Sequence, residues 1–396
     1  MFEDVSIDKR SFLLVFILIS NTFAWFYAIN LVLLVQTLKM TILLERRMAF
    51  HTSILISILV GGFLASKIRE KSSRVKFLYF WIILGGFASY LLGLSSSKIF
   101  IAFLGFSVGL GLPLCLASTS NLTRVEERGR VYGITVLFSL IILLALFSYI
   151  GRSSSFIRLS LTLSVWRFLG LAIIFLHPKK LDTVNEVLTF KSRLFLSKTF
   201  LLYLFPWLIF SIIDQFGFIM QPLYGGVGAE QLIFIKVTEL IVAGLSSFLT
   251  GFLLDSIGRR RVVVLGFVII GVTYALVGLL PPTYTTLLIF SVVEGAAWGI
   301  FTVTFSFVLW ADISSPSLRE KSYALGISPP FIACILGYFL VPFLSGFSVS
   351  SVFFFACIFL FISLLPLWYA PETLPEEIIE RRRFRRYIAK AKKTLG

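Results

Sequence analysis

The sequence predicts an all-α integral membrane protein with twelve transmembrane helices arranged as two six-helix bundles. Two observations predict this class. Hydrophobic residues make up 58% of the 396 residues, and the mean hydropathy is +0.95, which is typical of membrane proteins rather than soluble ones. Charged residues are only 14% of the chain, and they cluster between apolar segments of about 20 residues, the length that crosses a bilayer.

Twelve apolar segments are long enough to span the membrane. We expect helices, because segments of this length in lipid must satisfy their backbone hydrogen bonds internally and barrel strands would be short and alternating. The first segment follows an acidic N-terminus and is too long for a cleaved signal peptide, so we expect it to be retained. The predicted spans are residues 11–38, 48–66, 77–96, 99–118, 131–150, 156–176, 199–222, 231–254, 262–280, 285–311, 322–343 and 350–369.

The longest internal polar stretch divides the chain into two halves of six spans. We therefore predict an N-terminal bundle at residues 1–176, a central loop at 177–198, a C-terminal bundle at 199–370 and a basic tail at 371–396. An internal repeat agrees with this division. The segment GFLASKIREKS from Gly62 aligns with GFLLDSIGRRR from Gly251 at an offset of 189, and Arg128 aligns with Arg319 at an offset of 191.

The basic residues predict the orientation. With both termini on one side, 28 of the 36 Lys and Arg residues flank the spans on that side and 6 flank them on the other, so the positive-inside rule places both termini in the cytoplasm, and we expect a plasma-membrane protein. The net charge of +16 is thus spread over loops, which argues against nucleic-acid binding. The few cysteines and histidines form no cluster, so no metal or cofactor is expected.

Three motifs lie in loops of the predicted termini side. The segment GFLLDSIGRRR at Gly251–Arg261 resembles the GxxxDxxGRR loop of the major facilitator superfamily, between helices 8 and 9. Asp312 with Arg319 is similar to the acid and arginine pattern of its sugar-porter branch, and Pro371, Glu372 and Thr373 resemble the PET sequence after the last helix. The resemblance implies two bundles related by a pseudo-twofold axis along the membrane normal, with a substrate site between them.

The same motifs predict a cytoplasmic gate. Glycine allows a sharp turn between helices, and acids that end helices are expected to pair with nearby arginines and helix termini. The first half has Ser66, Asn121 and Lys179 where the second half has acids. This difference indicates either drift at solvated loops or an asymmetric gate, latched in the second half alone. The candidate gate residues are Asp255, Gly258, Arg259, Arg260, Asp312, Arg319 and Glu372.

Five charged residues lie well inside predicted spans, away from their ends, where a charge costs roughly 2.5 to 3.5 kcal/mol on insertion scales and therefore indicates function. Lys236 and Glu239 are three residues apart on one helical face and are expected either to neutralise one another or to act at the site. We expect Asp214 and Glu294 to line a central cavity, with Arg167 as their partner from the first half.

Uncharged polar and aromatic residues complete the candidate site. They offer hydrogen bonds to a solute or a surface on which it can stack, although packing against neighbouring helices is the simpler interpretation for each tryptophan. The complete set of substrate-binding or coupling candidates is Asp214, Gln215, Glu294, Arg167, Glu239, Lys236, Trp298, Asn21 and Trp25.

The sequence favours a secondary active transporter, and no nucleotide-binding loop is present to indicate ATP. We expect it to move a small solute, such as a sugar or an organic acid, by alternating access, with a proton or another ion as a coupling partner in symport. Efflux of lipophilic compounds is one alternative, favoured by the 43 phenylalanines. A non-transporting sensor and a membrane-embedded enzyme are others, although the chain has no catalytic constellation that predicts an enzyme.

The C-terminal tail carries acids at Glu376, Glu377 and Glu380 and ends in basic residues, which suits the dipole of a helix. We predict a helix on the membrane surface that binds anionic lipid headgroups, in a protein that is a monomer.

Overall fold

Twelve helical segments cross the membrane. The computed structural model describes residues 7–38, 44–68, 71–95, 97–151, 156–176, 197–220, 227–281, 283–344, 346–378, 380 and 384, and all regular structure within them is helical. Spans 1 to 12 are Lys9–Gln36, Glu45–Lys67, Arg74–Leu94, Lys98–Asn121, Arg128–Tyr149, Ile157–Leu176, Lys198–Met220, Ala229–Ile257, Arg259–Leu279, Tyr284–Ile313, Arg319–Leu340 and Val349–Tyr369. The predicted twelve-span fold is confirmed.

Five of the described spans are interrupted, and in span 12 the break at Ser363 separates Val349–Ile362 from Leu364–Tyr369. Span 4 changes direction at Gly111, which separates helices Lys98–Leu110 and Leu112–Asn121, and span 6 ends in the 3₁₀ helix Gly170–Leu176. Span 10 passes through a π-helical stretch, Thr302–Val308, between Tyr284–Phe301 and Leu309–Ile313. Span 11 is divided into Arg319–Gly326 and Pro329–Leu344. Interruptions of this kind open the regular helical hydrogen bonding and often occur at functional sites.

The helix packing repeats between the two halves of the chain. In the first half, span 2 packs on span 4, span 3 on span 6 and span 1 on span 5. The second half has the corresponding contacts of span 8 with span 10, span 9 with span 12 and span 7 with span 11. The halves meet where span 5 packs on span 8 and span 2 on span 11. The fold is therefore two six-helix bundles of equivalent packing, as the internal repeat predicts.

An even number of spans places both ends of the chain on one membrane face. We call this the termini face, and it carries the connections after spans 2, 4, 6, 8 and 10. The opposite face carries the other connections. Most of the predicted central loop (177–198) and the C-terminal tail beyond residue 378 lie outside the described residues, so the surface helix with its lipid contacts stays a prediction.

Many phenylalanine side chains lie on the outer surface of the helices, where they would contact lipid. Phe63 is 56% exposed, Phe80 is 53% exposed and Phe175 is 84% exposed. An apolar exterior is what a membrane-spanning bundle needs, since lipid tails are as apolar as these side chains. The aromatic content of the chain is therefore explained by the lipid-facing surface and does not itself indicate a lipophilic substrate.

Candidate functional site

A cavity of about 170 Å³ lies between the two halves of the molecule. Spans 1 and 5 of the first half form one wall, and spans 7, 8 and 10 of the second half form the other. The lining residues are Phe23, Tyr27, Val136, Leu140, Asp214, Glu239, Leu240, Ala243, Ser247, Trp298 and Thr302. Substrate sites of transporters occur at the interface between structural repeats, so this cavity is the candidate substrate site.

Three acidic residues and one lysine form a cluster beside the cavity. The Lys236 ammonium lies 2.6 Å from Glu239 Oε2, so the predicted neutralising pair forms within span 8. The carboxyl groups of Asp214 and Glu294 interact electrostatically with each other and with this pair. With all acids ionised the cluster would carry more negative than positive charge, and such a charge in an apolar interior is costly.

Asp214 lies in the middle of span 7, where two neighbours hold its carboxylate. Trp298 Nε1 donates to Asp214 Oδ1 at 2.8 Å, and Gln215 Nε2 donates to Asp214 Oδ2 at 3.5 Å. The Trp298 ring itself packs edge-on against Trp207 and Phe210, with ring centroids 5.9 and 5.3 Å apart. The predicted candidates Asp214, Gln215 and Trp298 are therefore brought together, and the aromatic packing fixes the position of the carboxylate.

Small residues bring spans 8 and 10 together at the cluster. A Cβ atom at Gly295 would meet the Glu239 carbonyl oxygen at 2.5 Å, and one at Gly299 would meet the Ala243 carbonyl oxygen at 2.6 Å. Because both glycines lack a side chain, the backbones approach closely, as small residues at this spacing allow in membrane helices. The π-helical stretch begins immediately afterwards at Thr302, which lines the cavity.

Arg167 lies in a separate buried site within the first half. Its Nη1 donates to Asn21 Oδ1 at 2.9 Å and to Thr22 Oγ1 at 3.0 Å. The guanidinium stacks between Trp25 and Trp81, with its carbon 4.5 and 4.1 Å from their ring centroids. Cation–π contacts of this kind stabilise a desolvated cation by about 2 kcal/mol or more. Arg167, Asn21 and Trp25 thus form one structural unit.

The expected partnership of Arg167 with Asp214 and Glu294 is not formed, and this prediction is corrected. Successive residues of a helix are rotated by about 100°, so residues two apart lie on nearly opposite faces. Phe23 and Tyr27 of span 1 face the cavity, whereas Asn21 and Trp25 face Arg167. Span 1 therefore separates Arg167 from the cavity.

Within the described ranges, three ion pairs join the two halves at the termini face. Arg128 pairs with Asp312, Arg130 Nε lies 3.2 Å from Asp255 Oδ2, and Arg74 Nη2 lies 2.7 Å from Glu320 Oε1. In each pair the arginine belongs to the first half and the acid to the second. Their side chains are at most 9% exposed, so loss of one partner would leave a buried charge without its counterion.

Two of these acids also bind other groups. Asp255 accepts hydrogen bonds from the Gly129 and Arg130 backbone amides at 3.0 and 2.9 Å, so it caps the start of span 5 from the opposite half. Asp312 accepts a second charged hydrogen bond from Arg259 Nε at 3.0 Å. Arg259 in turn donates across the interface to the Val125 carbonyl oxygen at 2.5 Å. The acids thus connect helix ends of both halves.

Glu372 acts within the second half. Its carboxylate accepts from the Arg259 and Arg260 backbone amides at 2.7 and 3.1 Å, which caps the start of span 9. Arg260 Nη1 donates to the Ala370 carbonyl oxygen at 3.1 Å. Gly258 precedes span 9 with φ of 103°, a region that only glycine adopts without strain. The sharp turn that the loop motif predicts is therefore present, and Glu372 stabilises the helix that follows it.

The prediction that the gate is latched in the second half alone is wrong. The second-half acids bind first-half arginines, so the charge difference between the halves makes them complementary. Arg319 donates a hydrogen bond to Asn121 of the first half. The pair of Arg128 and Asp312 occupies the equivalent positions of the internal repeat, with the halves exchanged. Ser66 Oγ donates to the Phe63 carbonyl oxygen of its own helix.

Weaker contacts join the halves near the opposite face. The Tyr338 hydroxyl of span 11 lies 3.3 Å from His51 Nδ1 of span 2, and His51 Nε2 lies 3.2 Å from Asn30 Oδ1. The Arg47 guanidinium lies 5.4 Å from the ring centroid of Phe218 in span 7. Among the described residues the buried ion pairs between halves are confined to the termini face, which is therefore the more tightly closed side.

Sequence reasoning missed several of these residues. Arg74 and Glu320 belong to no motif, and their pairing across 246 positions has no local signal. The apolar lining residues Val136 and Leu140 look like any lipid-facing pair in span 5. Arg128 was a recognisable candidate, since the first half keeps its arginines where it lacks the acids.

Comparison with known proteins supports an assignment to one family. A family model described as Major Facilitator Superfamily matches residues 226–395. The bovine (Bos taurus) protein named major facilitator superfamily domain-containing protein 10 is 35% identical over 135 residues, a match that covers 34% of this chain and only 28% of that relative.

Solved transporter structures share the fold over nearly the whole chain. The E. coli fucose:proton symporter FucP is 11% identical, with a TM-score of 0.63, over 91% of this chain and 99% of that one. A double-tryptophan variant of XylE is 14% identical, with a TM-score of 0.69, over 94% and 98% of the two chains. The family model thus matches the second half of the chain, and the fold of these transporters extends over nearly all of it.

The fold shared with these transporters bears on the role of the cavity. Members with this fold in the comparison are transporters, and the cavity between the halves occupies the place where repeats of a transporter meet. The proton:xylose symporter XylE in complex with 6-bromo-6-deoxy-D-glucose is likewise similar, with 14% identity and a TM-score of 0.63 over 92% of this chain and 96% of that one. At these identities the likeness shows the fold alone.

Proposed function

We propose that this chain is a secondary transporter of the major facilitator superfamily that moves a small solute by alternating access around the central cavity. The observation that carries the proposal is that both halves line the cavity while buried ion pairs close one side of it. The pairs break when that side opens, so they hold one of two alternating states. The moving units are the bundles at residues 1–176 and 199–370, with 177–198 as their linker.

A reversible disulfide tests whether the halves must separate. A Cβ atom at Gly62 of span 2 would touch the Cβ of Ala324 in span 11 near the termini face, so a small shift gives Gly62→Cys and Ala324→Cys the spacing of a disulfide. Oxidation of this double variant should stop uptake into proteoliposomes, and a reductant should restore it. The solute would be one that a thermal-shift screen of metabolites identifies. Each single variant is a control, and full transport by the oxidised double variant would refute alternating access at this interface.

We further propose proton coupling through Asp214 and Glu294, whose carboxyl groups interact beside the cavity. Neighbouring carboxyl groups in an apolar region gain or lose a proton when the surroundings change. The cluster lies beside the cavity, so binding of a solute and binding of a proton would affect each other. The proton symporters FucP and XylE share the fold, which supports a proton as the coupling ion.

The termini face is proposed to be cytoplasmic, in the plasma membrane, because the basic residues concentrate on that side. In a variant that lacks Cys115, Cys334 and Cys357, an impermeant thiol reagent applied to whole cells should label Ser95→Cys and leave Ser317→Cys unlabelled. Both serines are exposed, at opposite faces, and permeabilisation should expose the second. The reverse pattern would overturn the orientation.

A further inference from the structure

We propose that the central cavity selects a small organic cation whose ammonium group binds at Asp214 and Glu239. This inference rests on the proposed transport function and names the substrate class of the same site. The charged residues that line the cavity are Asp214 and Glu239, and no lysine or arginine lies among the lining residues. A cavity with low-dielectric walls and one sign of charge attracts ligands of the opposite sign, and an organic acid would be repelled.

Lys236 neutralises only part of the negative charge of the three acidic residues in the cluster. Lys236 Nζ occupies one oxygen of Glu239 at 2.6 Å, while Asp214 and Glu294 have no ammonium at hydrogen-bonding distance among the described residues. Glu294 is 1% exposed, and its Oε2 atom has no hydrogen-bonding partner in the described part of the chain. A buried carboxylate oxygen without a donor is costly, so the cluster has room for one more donor group. Arg47 of the first half lies over the ring of Phe218 in span 7.

The polar groups of the lining suit a ligand that donates hydrogen bonds. Trp298 Nε1 donates to Asp214, and the Ser247 hydroxyl donates to the Ala243 carbonyl oxygen at 2.7 Å. These two donors are therefore used within the protein, while the carboxylates offer acceptors. An ammonium group is a donor without an acceptor, whereas a sugar needs both for its several hydroxyls.

Aromatic rings and volume narrow the class further. Phe23, Tyr27 and Trp298 line the same cavity as the two carboxylates, and the faces of such rings attract a desolvated cation. The remaining lining is mainly aliphatic, which suits the alkyl part of an amine. The volume of about 170 Å³ is below the roughly 300 to 1,000 Å³ of sites for drug-sized molecules, so the body of the ligand must be small.

A pair of matched ligands tests the inference on the wild-type protein. Ethanolamine and its uncharged isostere ethylene glycol differ in the ammonium group, and choline and 3,3-dimethyl-1-butanol form a second pair, in which the cation has no N–H donor. We expect at least one cation to bind purified protein about 30-fold or more tightly than its isostere. This factor is the affinity that a desolvated cation–π contact and a charged contact are expected to contribute. Isothermal titration measures this difference. Binding of neither cation, or equal binding of cation and isostere, would overturn the proposal.

Variants locate the cation. Asp214→Asn should weaken binding of the cation by about 30-fold and leave the isostere unchanged. Glu230→Gln is the matched control, because Glu230 lies on the exposed start of span 8 and should leave both affinities unchanged. Trp298→Leu should lower the affinity for the cation alone. Preferential binding of D-xylose or a carboxylate would refute the proposal that the substrate is a cation. The transport proposal would still stand if uptake stopped on formation of the disulfide between Gly62→Cys and Ala324→Cys.

Discussion

Asp312→Asn is expected to open the termini face. The substitution removes the carboxylate that binds Arg128 of the first half and Arg259 of the second half. Breaking a buried pair costs about 3 kcal/mol or more, and this cost falls on the closed state, because solvent reaches the arginines when the halves separate. The ratio of open to closed molecules should therefore rise about 100-fold. Labelling of Val136→Cys in the cavity, by an impermeant thiol reagent applied from the termini face, measures that ratio.

Two variants control this experiment. Glu372→Gln removes another acid at the termini face, but the hydrogen bonds of Glu372 are formed within the second half. This variant should therefore lower thermal stability without changing the labelling rate. Asn121→Asp should act in the opposite direction, since it converts the hydrogen bond with Arg319 into an ion pair and slows labelling about fivefold. Equal responses of Asp312→Asn and Glu372→Gln would mean that the ion pairs between halves do not control opening.

Asp214→Asn and Glu294→Gln are expected to impair transport in two different ways. Asp214 lines the cavity, so its amide variant should lose about 10- to 100-fold in uptake and in solute exchange alike. Glu294 interacts with Asp214 but is not among the lining residues, and we propose that it carries the coupling proton. Its amide variant should lose accumulation driven by a proton gradient and keep counterflow, which needs no net proton movement.

Both transport variants require the same checks. Proteoliposomes with proton gradients of either direction, and with none, separate driven accumulation from exchange. Glu230→Gln serves as the control, because it removes an exposed acid of the second half. Accumulation by Glu294→Gln at the wild-type level would place the coupling proton elsewhere. Unchanged exchange by Asp214→Asn would move the substrate site away from this cavity.

Features that depend on neighbouring residues could be predicted from the sequence. The twelve spans follow from the length of each apolar segment, and the Lys236 and Glu239 pair follows from a separation of three residues on a helix. The turn at Gly258 follows from a residue that tolerates positive φ. In each case the deciding interaction lies within about one helical turn or one span.

Features that join distant residues were decided by the tertiary structure. Span 1 is apolar all round, so its sequence does not say that Phe23 and Tyr27 face the cavity while Asn21 and Trp25 face Arg167. The arrangement depends on which helices pack on either side of it.

The gate residues also separate what the sequence determined from what only the tertiary structure decided. The sequence determined that acids remain in the second half and arginines in the first, as Asp255, Asp312, Arg128 and Arg130 show. Only the tertiary structure decided that these groups face each other, because the partners are 125 and 184 positions apart and meet where packed spans end at one face. Charge pairing at that distance depends on how the two bundles dock, which the periodicity of a single helix does not contain.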